Sequence, residues 1–338
     1  MKTKLPLLIV LALLPVFVHG QDIHFSQSEF SPLVVNPAYT GRFSGNLRLI
    51  NNYRSQWRSI NKAFSTLGLA LDKPVSFRGQ DYGIGFLYLN DYAGNNRLVT
   101  HSFHASLAYQ VFWNNHQITT GLQPGFVLRE FDPESITFPS QYDPSNGTYN
   151  SGIPNGESML EEQIHYFSLN VGVAWRKKFN HLLPAAAIAI DNLNRPVESF
   201  NKKDKWPKKP LKYTFTGSIA IELINNFVVK PSVFYSGQQS AMEFLAGGTA
   251  YKELSSGEFR KVLLFGGPYF RSNLIRNFDA MILMGGIQVN NIGFAVNYDM
   301  NVSGLRKASN FRGAFEFSIV YIHDKSKTVN FKEPCLIY

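Results

Sequence analysis

Apolar and polar side chains alternate with a period of two along most of this chain, which narrows the choice of fold more than any other feature. Phe167, Leu169, Val171, Val173 and Trp175 fall on one face of a strand, with Ser168, Asn170, Gly172 and Ala174 on the other. The same holds for Phe315, Phe317, Ile319 and Tyr321 against Ala314, Glu316, Ser318 and Val320, and for Ile292, Phe294, Val296 and Tyr298 against Gly293, Ala295, Asn297 and Asp299. Side chains two apart share a face of a strand, so each segment has one apolar side and one small or polar side. Composition agrees: 28 Phe, 16 Tyr and 26 Gly with only 17% charged residues is a mixture that favours strands over helices.

The compartment follows from the first twenty residues. Lys2 and Lys4 precede an apolar run over residues 5–18, and the small Gly20 follows before Gln21 and Asp22. That order of charge, apolar run and small residue is a secretory signal, so residues 1–20 are expected to be removed and Gln21 to begin the mature chain. The run is too short to span a bilayer comfortably, and no later run reaches eighteen apolar residues. A chain like this enters a membrane only as a closed barrel, because only helices and closed barrels satisfy every backbone polar group in lipid.

The expected fold is therefore all-β: a transmembrane antiparallel β-barrel of the cell outer membrane, with about fourteen strands. They are expected to start near residues 44, 62, 81, 98, 116, 163, 182, 211, 226, 242, 260, 278, 291 and 308. The segments near 242 and 260 alternate poorly, so twelve strands is the alternative. The barrel is placed at residues 44–323. Before it, residues 21–43 form an ordered segment at the periplasmic mouth or a plug in the lumen; after it, residues 324–338 form a periplasmic tail. With both ends periplasmic, odd-numbered connections face outward, and the two longest, about residues 130–162 and 191–210, are the fifth and seventh. Pro124, Pro231 and Pro268 fall inside strands and are read as bulges or misplaced boundaries. A propeller should show a fixed repeat, and none is present.

The formal charge is +9, or +7 without Lys2 and Lys4, and much of it lies in the Pro-interrupted run 202–212. In an exported chain this reads as a solvated loop, not a nucleic-acid surface. Cys335 is alone, which excludes an internal disulfide. His101 and His104 have chelating spacing for a helix, but three residues apart on a strand they point to opposite faces. No Ser, Cys or carboxylate constellation suggests catalysis, and neither a metal nor a cofactor is expected. On the first strand Asn46, Arg48, Ile50, Asn52, Arg54, Gln56 and Arg58 share a face opposite Leu47, Leu49, Tyr53 and Trp57. Arg at the lipid midplane costs about 2–4 kcal/mol, so the charged stripe should face the lumen. Arg48 or Arg54 is expected to pair with Glu316 or Asp299 where the last strand meets the first, as a structural brace, with a lumenal ligand site as the alternative.

Several short motifs carry a resemblance. Phe25-Ser26-Gln27, Asn36-Pro37-Ala38-Tyr39-Thr40-Gly41 and Tyr53-Arg54-Ser55-Gln56-Trp57 are followed by Asn90-Asp91-Tyr92-Ala93-Gly94, Gly121-Leu122-Gln123, Asn192-Leu193-Asn194-Arg195-Pro196 and Lys230-Pro231-Ser232. Asn297-Tyr298-Asp299, Gly313 with Glu316, and Pro334-Cys335 continue the series. In this order they resemble the PorP/SprF family of the Bacteroidota type IX secretion and gliding systems. The resemblance implies a non-enzymatic outer-membrane barrel that binds or anchors the C-terminal domain of a secreted adhesin and contacts secretion or gliding machinery in the outer membrane and periplasm. Where that family often carries His before the Leu, this chain has Asp191-Asn192. Cargo is expected at the external loops, where Phe131, Phe138, Tyr142, Tyr149 and Trp206 are aromatic anchors among small polar residues. Asn192 and Asn194 are candidates with them. A porin or small-molecule transporter is the alternative function.

Overall fold

The computed structural model describes residues 25–56, 64–94, 98–131, 139–150, 152–153, 161–201, 203, 206–257, 260–273, 277–304 and 312–323. The expected signal peptide, Trp57, Arg58, Phe138 and the tail from residue 324 lie outside the described residues. The strands are β1 (Leu47–Gln56), β2 (Phe64–Phe77), β3 (Gln80–Ala93), β4 (Leu98–Trp113), β5 (His116–Glu130), β6 (Tyr142–Asp143), β7 (Thr148–Tyr149) and β8 (Gln163–Lys177). They continue with β9 (Leu182–Asp191), β10 (Lys212–Glu222), β11 (Phe227–Gln238), β12 (Ala241–Gly257), β13 (Arg260–Asn273), β14 (Asn277–Val289), β15 (Ile292–Asn301) and β16 (Arg312–His323). All but β6 and β7, a small ribbon in the fifth connection, form one closed antiparallel barrel of fourteen strands. The two poorly alternating segments are full strands, β12 and β13, so the alternative of twelve does not hold.

Each strand pairs with its sequence neighbour, and β1 closes on β16 in a ladder from Leu47↔His323 to Gln56↔Ala314. At one end the turns are tight. Arg78-Gly79 and Asn114-Asn115 each have positive φ at both central residues, the conformation that matches the twist of a two-residue hairpin. Long connections leave the other end, which by the rule for such barrels faces outward. Apolar side chains such as Leu69, Phe86, Phe103, Leu107, Phe167, Ile188 and Phe215 are exposed on the outer wall. On a closed sheet with no free edge, that surface is the one lipid covers.

Polar side chains line the inside, and a barrel this wide leaves room that side chains alone do not fill. The chain fills it with its own residues 25–43, which run through the lumen before β1. Three single turns shape this segment: Ser28–Phe30, Pro32–Val35 and Pro37–Tyr39. Pro32 and Pro37 each stand at the first position of a turn, where the missing N–H would have had no partner. Phe30 and Leu33 are buried against inward residues of the wall, and Phe30 stacks on Phe265 of β13 at 5.3 Å between centroids. Burying each such side chain stabilises by about 1.5–3 kcal/mol.

The strand prolines are neither bulges nor boundary errors. At Pro124 the β5–β8 ladder is continuous, while the β4–β5 ladder skips from His104↔Gly125 to Leu107↔Leu122 and resumes in the same register. Pro231 interrupts the β10–β11 ladder in this way and Pro268 the β12–β13 ladder. Each proline lacks one donor, so one ladder opens and the other persists. Register shifts occur elsewhere, at Glu253/Ser255, Arg271/Ser272 and Asp299/Met300.

Candidate functional site

Arg54 of β1 stands opposite Glu316 of β16 in the closing ladder, and their side chains form an ion pair inside the barrel. Asp299 of β15 lies 3.5 Å from Arg54 Nη2. Arg271 of β13, which sequence reasoning missed, donates to Asp299 Oδ2 at 2.8 Å and to Asp279 at 2.9 Å. The lumenal segment enters this cluster. Ser26 N donates to Glu316 Oε1 at 2.7 Å and Gln27 N to Oε2 at 3.0 Å, while Ser26 Oγ donates to Asp299 at 2.8 Å and accepts from Arg54 at 2.6 Å. Asp299 and Glu316 are at most 1% exposed, with every carboxylate oxygen holding a donor once Asn297 Nδ2 reaches Asp299 Oδ1.

Of the two arginines offered by the sequence it is Arg54 that meets Glu316 and Asp299, and Arg48 does not join this cluster. Its ladder partner on β2 is Asp72, and the guanidinium takes that carboxylate in a fork, with Nε to Oδ1 at 2.9 Å and Nη2 to Oδ2 at 2.8 Å. On β16 it faces Ile322, so β2 offers the only near carboxylate of the two neighbouring strands. Asp72 also accepts from Gly41 N at 2.7 Å. On the opposite wall Lys230 Nζ lies 3.0 Å from Glu29, and Tyr251 donates to the same carboxylate at 2.7 Å.

Between these anchors the Asn36 to Gly41 motif lies in a groove cut by missing side chains. Gly83, Ala108, Gly121, Gly172 and Ala189 are successive ladder partners across β3, β4, β5, β8 and β9, a band roughly 19 Å wide at ordinary strand spacing. A Cβ on Gly83 would meet Thr40 O at 2.0 Å, one on Gly121 would meet Ala38 N at 2.3 Å, and one on Gly172 would meet Asn36 Oδ1 at 2.0 Å. Asn36 accepts from Ala38 N at 2.8 Å and donates to Ile188 O at 3.0 Å. Gln123, two residues after Gly121, donates to Leu33 O at 3.1 Å.

The expected loop residues divide. Tyr142 and Tyr149 pair edge to face at 5.4 Å on the exposed ribbon β6–β7, and Trp206 is 87% exposed. Phe131 packs edge to face on Phe200 at 5.0 Å. Asn192 is buried instead: with φ of 60°, its N–H donates to Asn170 at 3.1 Å and its side chain donates to Pro210 O at 3.4 Å. Asn194 covers a strand edge. The β8–β9 ladder spans only Val171 to Arg176 on β8, and beyond it Asn194 accepts from Leu169 N at 3.1 Å and donates to Phe167 O at 2.7 Å. Nor is the lysine run wholly solvated. Lys209 donates to Tyr166 at 3.1 Å, and Lys212 lies 3.5 Å from Asp191, both largely buried. Asp143, on the ribbon, accepts from Ser145 Oγ at 2.6 Å and Ser145 N at 2.9 Å; these bonds, the side-chain one foremost, hold its pKa below the ordinary value.

A barrel closed by a seam of buried charge and filled by its own N-terminal segment has distant structural likenesses. The toluene transporter TbuX of Ralstonia pickettii matches at 9% identity and a TM-score of 0.49 over 86% of this chain and 92% of that one. The toluene transporter TodX of P. putida matches at 8% identity and a TM-score of 0.48 over 88% of this chain and 94% of that one. No curated protein matches in sequence. The family model for the type IX secretion system membrane protein PorP/SprF matches residues 18–321. The chain therefore belongs to the PorP/SprF family of type IX secretion system membrane proteins.

Proposed function

We propose that this protein is a non-enzymatic outer-membrane barrel that holds the C-terminal domain of a secreted adhesin at the cell surface for the type IX system. Family membership over residues 18–321 carries the reading. A lumen occupied by residues 25–43 supports it over a diffusive porin, since that segment acts as a plug. The cargo surface is the outward loops, with the Tyr142–Tyr149 pair and Trp206 as exposed aromatic anchors and Phe131 packed on Phe200. The tight turns face the periplasmic machinery.

Deleting the gene is expected to remove one or a few adhesins from the cell surface, read by antibody labelling of intact cells. Complementation with the unaltered gene restores them, and complementation with Tyr142→Ala/Tyr149→Ala/Trp206→Ala restores them poorly at equal barrel abundance. Undiminished display after deletion overturns the proposal.

A further inference from the structure

Above the lumenal segment, at the outward end of the barrel, lies a cavity of about 260 Å³, with the Lys212–Asp191 pair and the Lys209–Tyr166 contact in its wall. Val34, Leu87 and Leu89 give it an apolar floor, Ser168 and His104 stand in its wall, and Glu198 of the seventh connection closes over it. Two features point to a ligand. Ser168 is 2% exposed, lines the cavity, and its hydroxyl has no hydrogen-bond partner among the described residues. Native interiors seldom leave such a group unmade. Residue 125 is glycine, and it leaves that hydroxyl its space: a Cβ there would meet Ser168 Oγ at 2.7 Å and His104 Nδ1 at 2.2 Å.

The second feature is charge. Arg129, Lys209 and Lys212 line the cavity with Asp191 and Glu198, one positive charge in excess. Arg129 pairs with Glu198, yet its Nε has no partner. A planar guanidinium suits the two oxygens of a carboxylate, and one carboxylate balances the excess where a phosphate dianion would overshoot it. Thr100, Ser102 and Gln239 add donors and acceptors of both kinds along the wall. We propose that this outward chamber is a binding site for a small carboxylate-bearing ligand with a polar body rich in hydroxyls or amides. A free sugar acid and the carboxyl end of a peptide share that chemistry. The site stands on the cavity alone and holds whether or not the loops bind an adhesin.

The test is calorimetric titration of the full barrel in detergent with D-galacturonate, with acetyl-Gly-Ser-Asn, and with the C-terminal amide of that tripeptide. At least one acid is expected to bind with unit stoichiometry, and the amide at least about tenfold more weakly than its acid, as loss of a charge-assisted contact requires. Binding of galacturonate alone identifies a sugar acid, and binding of the tripeptide alone a chain end. Ser168→Ala is expected to weaken binding about fivefold with no change in unfolding temperature, because that hydroxyl holds nothing in the empty protein. Silence of both acids at millimolar concentration, equal binding of acid and amide, or undiminished affinity in Ser168→Ala overturns the site.

Discussion

Arg54 sits 2% exposed between Glu316 and Asp299, so removing it leaves two carboxylates in a space that water does not reach. Breaking a buried pair from one side costs about 3–5 kcal/mol, more than the pair contributes when intact, because the partner keeps its desolvation penalty. Arg54→Met should therefore lower the urea midpoint of the refolded barrel by that order, followed by intrinsic fluorescence. Arg54→Met/Glu316→Met should recover much of the loss, since Asp299 keeps Arg271. An unmoved midpoint in the single variant removes the knot as a brace. Asp143 is the opposite case, half-buried on the ribbon and held by hydrogen bonds from Ser145 and Asn146. Its folded pKa is depressed, so its support for the ribbon is complete above the ordinary aspartate value of about 3.9 and is lost as pH falls through the lower folded value. Fluorescence of the Tyr142–Tyr149 pair should stay flat from neutral pH to that region and change below it, and Asp143→Asn should abolish the step.

Strands and their order were legible because period two is a local signal, and the boundaries fall within a few residues of those expected. The face of β1 that carries Arg48, Asn52 and Arg54 was legible for the same reason, since charge in lipid is costly. What a single strand hides is its neighbour. Arg48 finds Asp72 through register, Arg271 reaches Asp299 across two ladders, and Gly83, Gly121 and Gly172 become one groove only when their strands align. Asn192 and Asn194 looked like loop polars, and the shortness of β9 beside β8 is what makes them backbone partners. The groove can be tested as an element. In Gly121→Val the new side chain meets the backbone of Pro37 and Ala38, which has nowhere to retreat within the barrel, and such overpacking costs about 1–3 kcal/mol or more. The strands should remain closed while the segment loosens. Arg42, 2% exposed, should resist trypsin in the unaltered chain and be cut in the variant; equal resistance would show that the band of small residues does not seat the segment.

Across the molecule, the segment is fixed at three levels: near the outward half by Ser26 on Glu316 and Asp299, midway by the Asn36 to Thr40 groove, and lower by Gly41 on Asp72. Because the chain passes directly from residue 43 into the wall, the segment cannot leave without breaking all three and exposing Phe30 and Leu33. Release therefore requires several costs at once, and thermal fluctuation alone should seldom provide it. The purified barrel in planar bilayers should accordingly show no steady ion conductance. Combining Gly121→Val with Gly172→Val and Arg54→Met weakens the groove and the upper anchor together, and this triple variant should open stable, ohmic steps at protein amounts where the unaltered chain is silent. Steady conductance from the unaltered chain would return the porin reading to first place. Silence from a triple variant shown by trypsin to have freed Arg42 would mean that something other than residues 25–43 closes the lumen.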